Sequence, residues 1–141
     1  MRDGIQGILA NARVARNEGR IDDALQGYRQ AADLAREHHD RTWLAHALRH
    51  VSDVAREAGQ AEAALSAGTE AVAILRANPD APRLDLANAL RVTALAWQSL
   101  DQAANAPPLW REARELYAAG QVSAGVEECE NNLSDWPGPG R

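Results

Sequence analysis

A pattern of alanine residues returns in this chain at intervals of about 40 residues. Residues 19–34, 59–74 and 101–116 align without gaps, starting at Gly19, Gly59 and Asp101. The alignment places alanine at two shared positions, first as Ala24, Ala64 and Ala106 and then as Ala31, Ala71 and Ala113. A period in this range is typical of proteins built from stacked, similar units. The repeat therefore constrains the fold more than any other feature.

The composition favours helices as the elements of each unit. Alanine, the residue with the highest helix propensity, is the commonest residue. The chain has no Phe, and Val and Ile are sparse, which disfavours strands. The predicted fold class is therefore all-α. The spacing of apolar residues predicts seven antiparallel helices, at 5–18, 21–37, 41–58, 61–77, 83–100, a sixth helix that ends at Gly120, and 122–133.

Glycine and proline mark the expected helix ends. Gly19, Gly59 and Gly120 each follow a helical pattern, where glycine commonly ends a helix. The break at residues 78–82 leaves Asp80 as a candidate cap for the fifth helix. The sixth helix either starts late, with Asn105 as its cap, or is kinked, because the prolines at 107–108 cannot lie unperturbed inside a helix. We expect the late start.

Charge and cysteine content exclude several classes of function. The net charge of −5 argues against general affinity for nucleic acid. No stretch is apolar over the length that a membrane helix requires, so no membrane span is expected. All basic residues are Arg, which excludes chemistry on a lysine amine. The single cysteine, Cys129, excludes an internal disulfide and suggests a reducing, cytoplasmic environment.

The repeated segments resemble the tetratricopeptide repeat family. In that family each repeat carries small residues at its eighth, twentieth and twenty-seventh positions, and often glycine at its fifteenth. Here the twentieth and twenty-seventh positions hold the two alanine sets, and the eighth holds Ala12, Ser52 and Ala94. The twenty-fourth position holds Tyr28, Gly68 and Trp110. The units are longer than the usual length of about 34 residues, which indicates longer helices.

The resemblance implies a right-handed α-α superhelix. Its expected domain is 1–133, with repeats at 5–37, 41–77 and 83–119, a capping helix at 122–133 and a disordered tail at 134–141. Tyr28, Trp97 and Trp110 are expected between helices, and Trp43 is expected to pack on the second helix. Cys129 is expected to be buried. Two placements of Trp136 remain open: its side chain could fold back on the last helix or contact a partner.

In this family the first helix of each repeat lines a concave groove that binds a peptide or protein segment. Carried over position by position, the resemblance implies the following partner-binding residues: Arg13, Arg16, Asn17, His46, Arg49, His50, Asp53, Arg56, Asn88, Arg91 and Gln98. Gln6, Leu9 and Ala10 belong to the same face. The groove holds more arginines than acids, and guanidinium groups bind carboxylates through paired hydrogen bonds. We therefore expect an acidic protein partner.

The expected ligand is one extended segment that touches Arg13, Arg49 and Arg91. His46 and His50 would add positive charge below about pH 6.5, so binding is expected to tighten on mild acidification. The two-carboxylate clamp of the chaperone-binding family members is not matched, because Leu9 and Val92 stand at two of its positions.

Three alternatives remain open on the sequence alone. The groove arginines could simply pair with Asp53 and Glu57 on a solvated face. The chain could associate with itself, as a homo-oligomer, through an exposed helix edge or an incomplete end of the stack. A metal-dependent enzyme could use His46, His50 and Asp53 as ligands, since two histidines four residues apart share a helix face. The common catalytic and phosphate-binding motifs are absent, so neither an enzyme nor a cofactor is expected.

Overall fold

The computed structural model describes residues 2–138, and this part of the chain is helical and contains no strand. The seven helices are α1 (Arg2–Asn17), α2 (Ile21–Glu37), α3 (Arg41–Glu57), α4 (Ala61–Arg76), α5 (Arg83–Ser99), α6 (Pro107–Ala119) and α7 (Ser123–Asp135). These bounds confirm the predicted number and order of helices. Residues 136–138 follow α7 without regular structure, and the last residues of the predicted tail, 139–141, lie outside the described part.

Consecutive helices pack against one another from α1 to α7, and α3 also packs against α5. The odd-numbered helices form one layer and the even-numbered helices the other, which is the α-α solenoid that the sequence predicts. Within the described residues, no helix combines the length and the apolar character needed to cross a membrane.

The small residues of the repeat lie where the two layers meet. All six alanines of the two aligned sets are buried, with at most 1% of their surface exposed. Gly68 marks the closest approach, because a Cβ atom there would lie 2.5 Å from Thr93 Oγ1 and 3.0 Å from Ser52 Oγ. Any side chain at this position would push α4 away from α3 and α5. The predicted packing positions are therefore confirmed.

Five of the turns between the described helices contain a left-handed residue, and only two of these residues are glycine. Gly19 and Gly59 have φ angles of 80° and 81°, as expected for the residue that ends a helix. The equivalent residues after α2, α5 and α6 are His39, Asp101 and Gln121, with φ angles of 55°, 57° and 61°. A side chain in this region normally costs free energy, so three turns carry a small backbone strain.

Gly120 follows the end of α6, as predicted, but it does not supply the left-handed residue of that turn. Gly120 is the C-cap of α6 and has a φ angle of −87°. Gln121, the next residue, adopts the left-handed conformation. Leu84 Cδ2 lies 2.7 Å from the position that a Cβ atom of Gly120 would occupy. Gly120 is thus explained by close packing against α5 rather than by its backbone angles.

The structure confirms where α6 starts but not the residues that were predicted to cap α5 and α6. The late start of α6 is confirmed, because Pro107 is its first residue and a short 3-10 turn at Ala103–Asn105 precedes it. Its N-cap is Ala106, and Asn105 lies within the preceding turn. Asp80 does not cap α5, whose N-cap is Pro82 without a side-chain hydrogen bond. The proline ring fixes the entry into α5 without help from a capping side chain.

Candidate functional site

A pocket of about 390 Å³ opens on the odd-numbered layer, between α1, α2 and α3. We call it the α1–α3 pocket; it is lined by Gln6, Leu9, Ala10, Arg13, Tyr28, Trp43, His46, Arg49 and His50. All lining residues except Tyr28 and Trp43 stand at positions that the family resemblance assigns to the groove. The first two repeats therefore bring the expected residues of α1 and α3 together around one cavity.

Two arginines of this pocket have no acidic partner. Among the described residues, neither Arg13 nor Arg49 forms an ion pair or a hydrogen bond with a carboxylate. Arg13 is exposed, whereas Arg49 is half-buried, and burial lowers its pKa even though Asp53 and Asp85 act in the opposite direction from a distance. Burial removes part of the hydration of the Arg49 guanidinium group, and among the described residues only the His50 ring accepts a hydrogen bond from it. The pocket is therefore suited to accept an anion.

The hydrogen bonding of His50 can be assigned from that of Arg49. Arg49 Nη2 lies 3.1 Å from His50 Nε2. A guanidinium group can only donate, so Nε2 accepts and the proton of the neutral ring is on Nδ1. His50 Nδ1 is buried and has no hydrogen-bond partner among residues 2–138. The ring is thus held beside Arg49 with an unused donor.

Aromatic rings form a continuous wall along the pocket. Tyr28 stacks on His50 with ring centroids 4.9 Å apart and an interplanar angle of 9°. His50 meets His46 edge-on at 4.8 Å, and His46 meets Trp43 edge-on at 5.5 Å. Tyr28 and Trp43 were not predicted as groove residues. Trp43 could have been recognised, because it precedes His46 by one turn on the same face of α3.

The two histidines do not provide positive charge near neutral pH. Burial lowers the pKa of His50 to about 3, helped by the nearby charges of Arg49, His46 and Arg16 and opposed by Asp53. Burial also lowers the pKa of His46, with Arg49 as the next cause. The expectation that mild acidification would add positive charge here is therefore wrong. That expectation assigned the ordinary histidine pKa to rings that are packed between helices, where burial lowers the pKa.

Other groove arginines are engaged within the chain. Arg16 of α1 donates to Asp53 at 3.0 Å and also pairs with Glu57, while Arg56 donates to Asp53 at 2.7 Å. Burial alone would raise the pKa of Asp53, but the hydrogen bonds from Arg56 and Arg16 lower it overall. Asp53 is 8% exposed and its charge is matched, so it is not available to a ligand. Asn17 is exposed on α1.

The groove residues of α5 contact the last two helices. Arg91 forms two hydrogen bonds with Glu128 of α7, at 2.5 Å and 3.1 Å. Gln98 donates to Asn132 of α7 at 3.2 Å, and Asn88 accepts a hydrogen bond from the Tyr117 hydroxyl at 2.7 Å. The three arginines expected to share one extended ligand are thus not equivalent. Within the described part of the chain Arg13 and Arg49 meet no carboxylate, whereas Arg91 already binds that of Glu128.

Two further sequence candidates are the metal site and the cysteine. No group of three metal-ligating side chains comes together in residues 2–138, and the Asp53 carboxylate already accepts hydrogen bonds from Arg16 and Arg56. Cys129 is fully buried, as expected. Burial, with the neighbouring charge of Glu128, raises the pKa of its thiol to about 11. A thiolate nucleophile is therefore disfavoured at neutral pH.

A comparison with protein families matches residues 6–77 to the tetratricopeptide repeat model. The matched region covers half of the chain and contains almost all of α1 to α4, including every residue of the α1–α3 pocket. The comparison with curated proteins gave no match.

Proposed function

Because the chain belongs to the tetratricopeptide repeat family, whose repeats generally mediate protein–protein interaction, we propose that it is a non-catalytic binding module for an acidic partner protein. The anchor of that partner is a carboxylate side chain in the α1–α3 pocket. The observation that supports this proposal is the pair of arginines, Arg13 and Arg49, that face one cavity without an anion.

The pocket is chemically complementary to a carboxylate on an apolar or aromatic residue. Its volume of about 390 Å³ lies in the range of pockets that hold small ligands or side chains. Arg49 would regain through the carboxylate the interaction that it lost on burial, because a charged hydrogen bond is stronger away from water. The aromatic wall and Leu9 offer apolar surface next to the charged anchor.

The proposed site for the partner's carboxylate uses the first two repeats and not the whole length of the groove. A ligand that used Arg91 would have to displace Glu128, which already forms two hydrogen bonds with it. A ligand that used Arg16 or Arg56 would have to compete with Asp53 in the same way. Arg13 and Arg49 require no such exchange.

The experiment compares Arg49→Glu and Arg13→Glu with Arg111→Glu. Arg111 is an exposed arginine on α6 outside the pocket, so its variant makes the same change in net charge elsewhere. A partner is captured from the source cell with the unmodified chain, and its dissociation constant is then measured for each variant. Losing a charged hydrogen bond of about 1.5–3 kcal/mol should weaken binding about tenfold or more.

The expected pattern is a large loss for Arg49→Glu, a smaller loss for Arg13→Glu and little change for Arg111→Glu. Affinity should fall as salt rises, and it should not improve between pH 7 and pH 6, since burial lowers the pKa of both histidines. Equal affinities for Arg49→Glu and Arg111→Glu would refute the pocket as the anchor site.

Self-association is the second candidate function, and one observation favours it. At the α1 end of the stack Val14 is 51% exposed, beside a depression of about 310 Å³ between α1 and α2. In a symmetric dimer the same surface of both copies meets, so an apolar side chain beside a depression can fill the depression of the second copy. Sedimentation at several concentrations tests it: a dimer that Val14→Asp dissociates supports self-association through this end, and a monomer at every concentration refutes it.

A further inference from the structure

A second pocket, of about 230 Å³, lies where α5 ends, α6 begins and α7 ends. We call it the C-terminal pocket, and it shares no residue with the α1–α3 pocket. Its walls are apolar or aromatic and comprise Ala103, Ala106, Pro107, Trp110, Trp136 and Pro137. Gln98, Asn132 and Asp135 supply its polar groups. Trp136, for which the sequence offered no firm place, is thus a partly buried wall of a cavity.

The hydrogen-bond directions at this pocket follow from one backbone carbonyl. Asn132 Nδ2 lies 2.9 Å from the carbonyl oxygen of Glu128, and a carbonyl can only accept. The side-chain oxygen of Asn132 therefore faces Gln98, whose Nε2 donates to it at 3.2 Å. This assignment leaves Gln98 Oε1 as an acceptor without a donor among the described residues.

The groups that the C-terminal pocket offers to a ligand are consequently acceptors. The Asp135 carboxylate also has no hydrogen bond or ion pair within residues 2–138, and no basic residue lines the pocket. The Trp110 indole N–H has no hydrogen-bond partner in the part of the chain that the structure describes, and its nitrogen is buried, so it is not accessible to a ligand. A cationic group is complementary to a carboxylate and an amide oxygen, and the face of a tryptophan ring also attracts cations.

The apolar walls of the C-terminal pocket favour a ligand that carries an apolar portion next to its charged group. An arginine or lysine side chain combines a long hydrocarbon portion with a charged end, so it can pack against apolar walls while its charge stays at the rim. We propose that the C-terminal pocket binds an arginine or lysine side chain of a protein partner. Asp135 and Gln98 hold the charged group, and Trp136 covers the stem.

The test uses the full chain and three short capped peptides that differ only in the central residue: arginine, norleucine or glutamate. Norleucine keeps the apolar stem and lacks the charge. Binding is followed by NMR through the four tryptophan indole signals. The arginine peptide should shift the signals of Trp136 and Trp110, whereas those of Trp43 and Trp97, which lie outside the pocket, should stay in place.

Variants identify the groups responsible. Trp136→Ala should weaken the arginine peptide about two- to fivefold, the value expected for an exposed cation–π contact. Asp135→Asn should weaken it more than Glu127→Gln, which removes a charge from an exposed position on the same helix, outside the pocket. Circular dichroism of each variant checks that α7 is retained.

Three results would overturn the proposal: equal binding of the norleucine and arginine peptides, stronger binding of the glutamate peptide, or equal effects of Asp135→Asn and Glu127→Gln. Arg49→Glu should leave the arginine peptide unaffected. Failure of the acidic-anchor proposal at the α1–α3 pocket can therefore be distinguished from failure at the C-terminal pocket.

Discussion

Replacing Gly68 by alanine tests the closest packing in the solenoid. The added methyl carbon would lie 2.5 Å from Thr93 Oγ1, 3.0 Å from Ser52 Oγ and 3.3 Å from Thr93 Cα. Neither hydroxyl can move away easily, because Thr93 Oγ1 donates to the Ala89 carbonyl and Ser52 Oγ donates to the Ala64 carbonyl, both at 2.7 Å. The backbone contact can be relieved only if α4 shifts away from α5.

The expected magnitude has two opposing parts. Overpacking of a tight interior costs about 1–3 kcal/mol. Alanine gains about 1 kcal/mol over glycine in a helix through propensity alone. Gly68→Ala should therefore lower the free energy of unfolding by roughly 0–2 kcal/mol. Gly7→Ala is the matched control, since Gly7 lies in α1 with no atom within 4 Å of the added carbon, and it should raise that free energy by about 1 kcal/mol.

Urea unfolding followed by circular dichroism measures both variants on the same scale. The difference between them, about 1–3 kcal/mol, removes the propensity contribution and isolates the packing cost. Repeating Gly68→Ala in a Thr93→Ala background should reduce its cost, because the nearest atom is gone, and the coupling should exceed about 0.5 kcal/mol. Equal stabilisation by Gly68→Ala and Gly7→Ala would refute the close approach of α4 to α5.

Three further predictions concern the turns, the core and the buried histidine. Gln121→Gly should raise the free energy of unfolding by about 1 kcal/mol by removing left-handed strain, and Gly59→Ala should lower it by a similar amount; unchanged urea midpoints would contradict the assigned backbone angles. Ala71→Leu should cost about 1–3 kcal/mol, because Ala71 is fully buried between the layers; a chain of unchanged stability would refute that placement. Because the pKa of His50 is lowered to about 3, the unfolded state binds a proton that the folded state does not, so stability is full above about pH 6.5 and is lost as pH falls towards 3. His50→Phe should flatten this loss by up to about 1.4 kcal/mol per pH unit, and parallel pH profiles for the two chains would disprove it.

The helices could be predicted because their signals are local. Apolar spacing, the glycines at 19 and 59 and the prolines at 107–108 act within a few residues of each boundary, and all are visible in the sequence. The left-handed conformations of His39, Asp101 and Gln121 were missed, although Asp101 aligns with Gly19 and Gly59, and aspartate and histidine adopt this conformation more often than most residues. Their conformation is set by the geometry of the turn between two packed helices, which overrides local preference.

The pairing of the groove arginines could not be predicted from positions alone. Arg49 and Arg91 stand at the same position of successive repeats, yet only Arg91 meets a carboxylate, that of Glu128 on α7. The pairing depends on where α7 lies relative to α5 and on the conformations of two long side chains. The lowered pKa values of the histidines have a similar origin, because burial between α1, α2 and α3 exists only in the folded stack.

The ion pairs between repeats are regular in the even-numbered layer and irregular in the odd-numbered layer, where the candidate site lies. In the even-numbered layer, Arg36 pairs with Glu70 and Arg76 pairs with Glu112, so the same contact is repeated from one unit to the next. Such regular pairs connect neighbouring repeats at the same positions of each unit.

The odd-numbered layer breaks the regularity. Arg16 and Arg56 stand at equivalent positions, but Arg16 reaches Asp53 on the next inner helix, whereas the residue equivalent to Asp53 on α5 is Leu95. Arg56 therefore turns back to Asp53 of its own helix. Arg49 differs from both, because among the described residues it meets no carboxylate, whereas Arg91 at the same position of the next repeat meets Glu128. The proposed binding of a partner carboxylate in the α1–α3 pocket depends on this difference between two equivalent arginines.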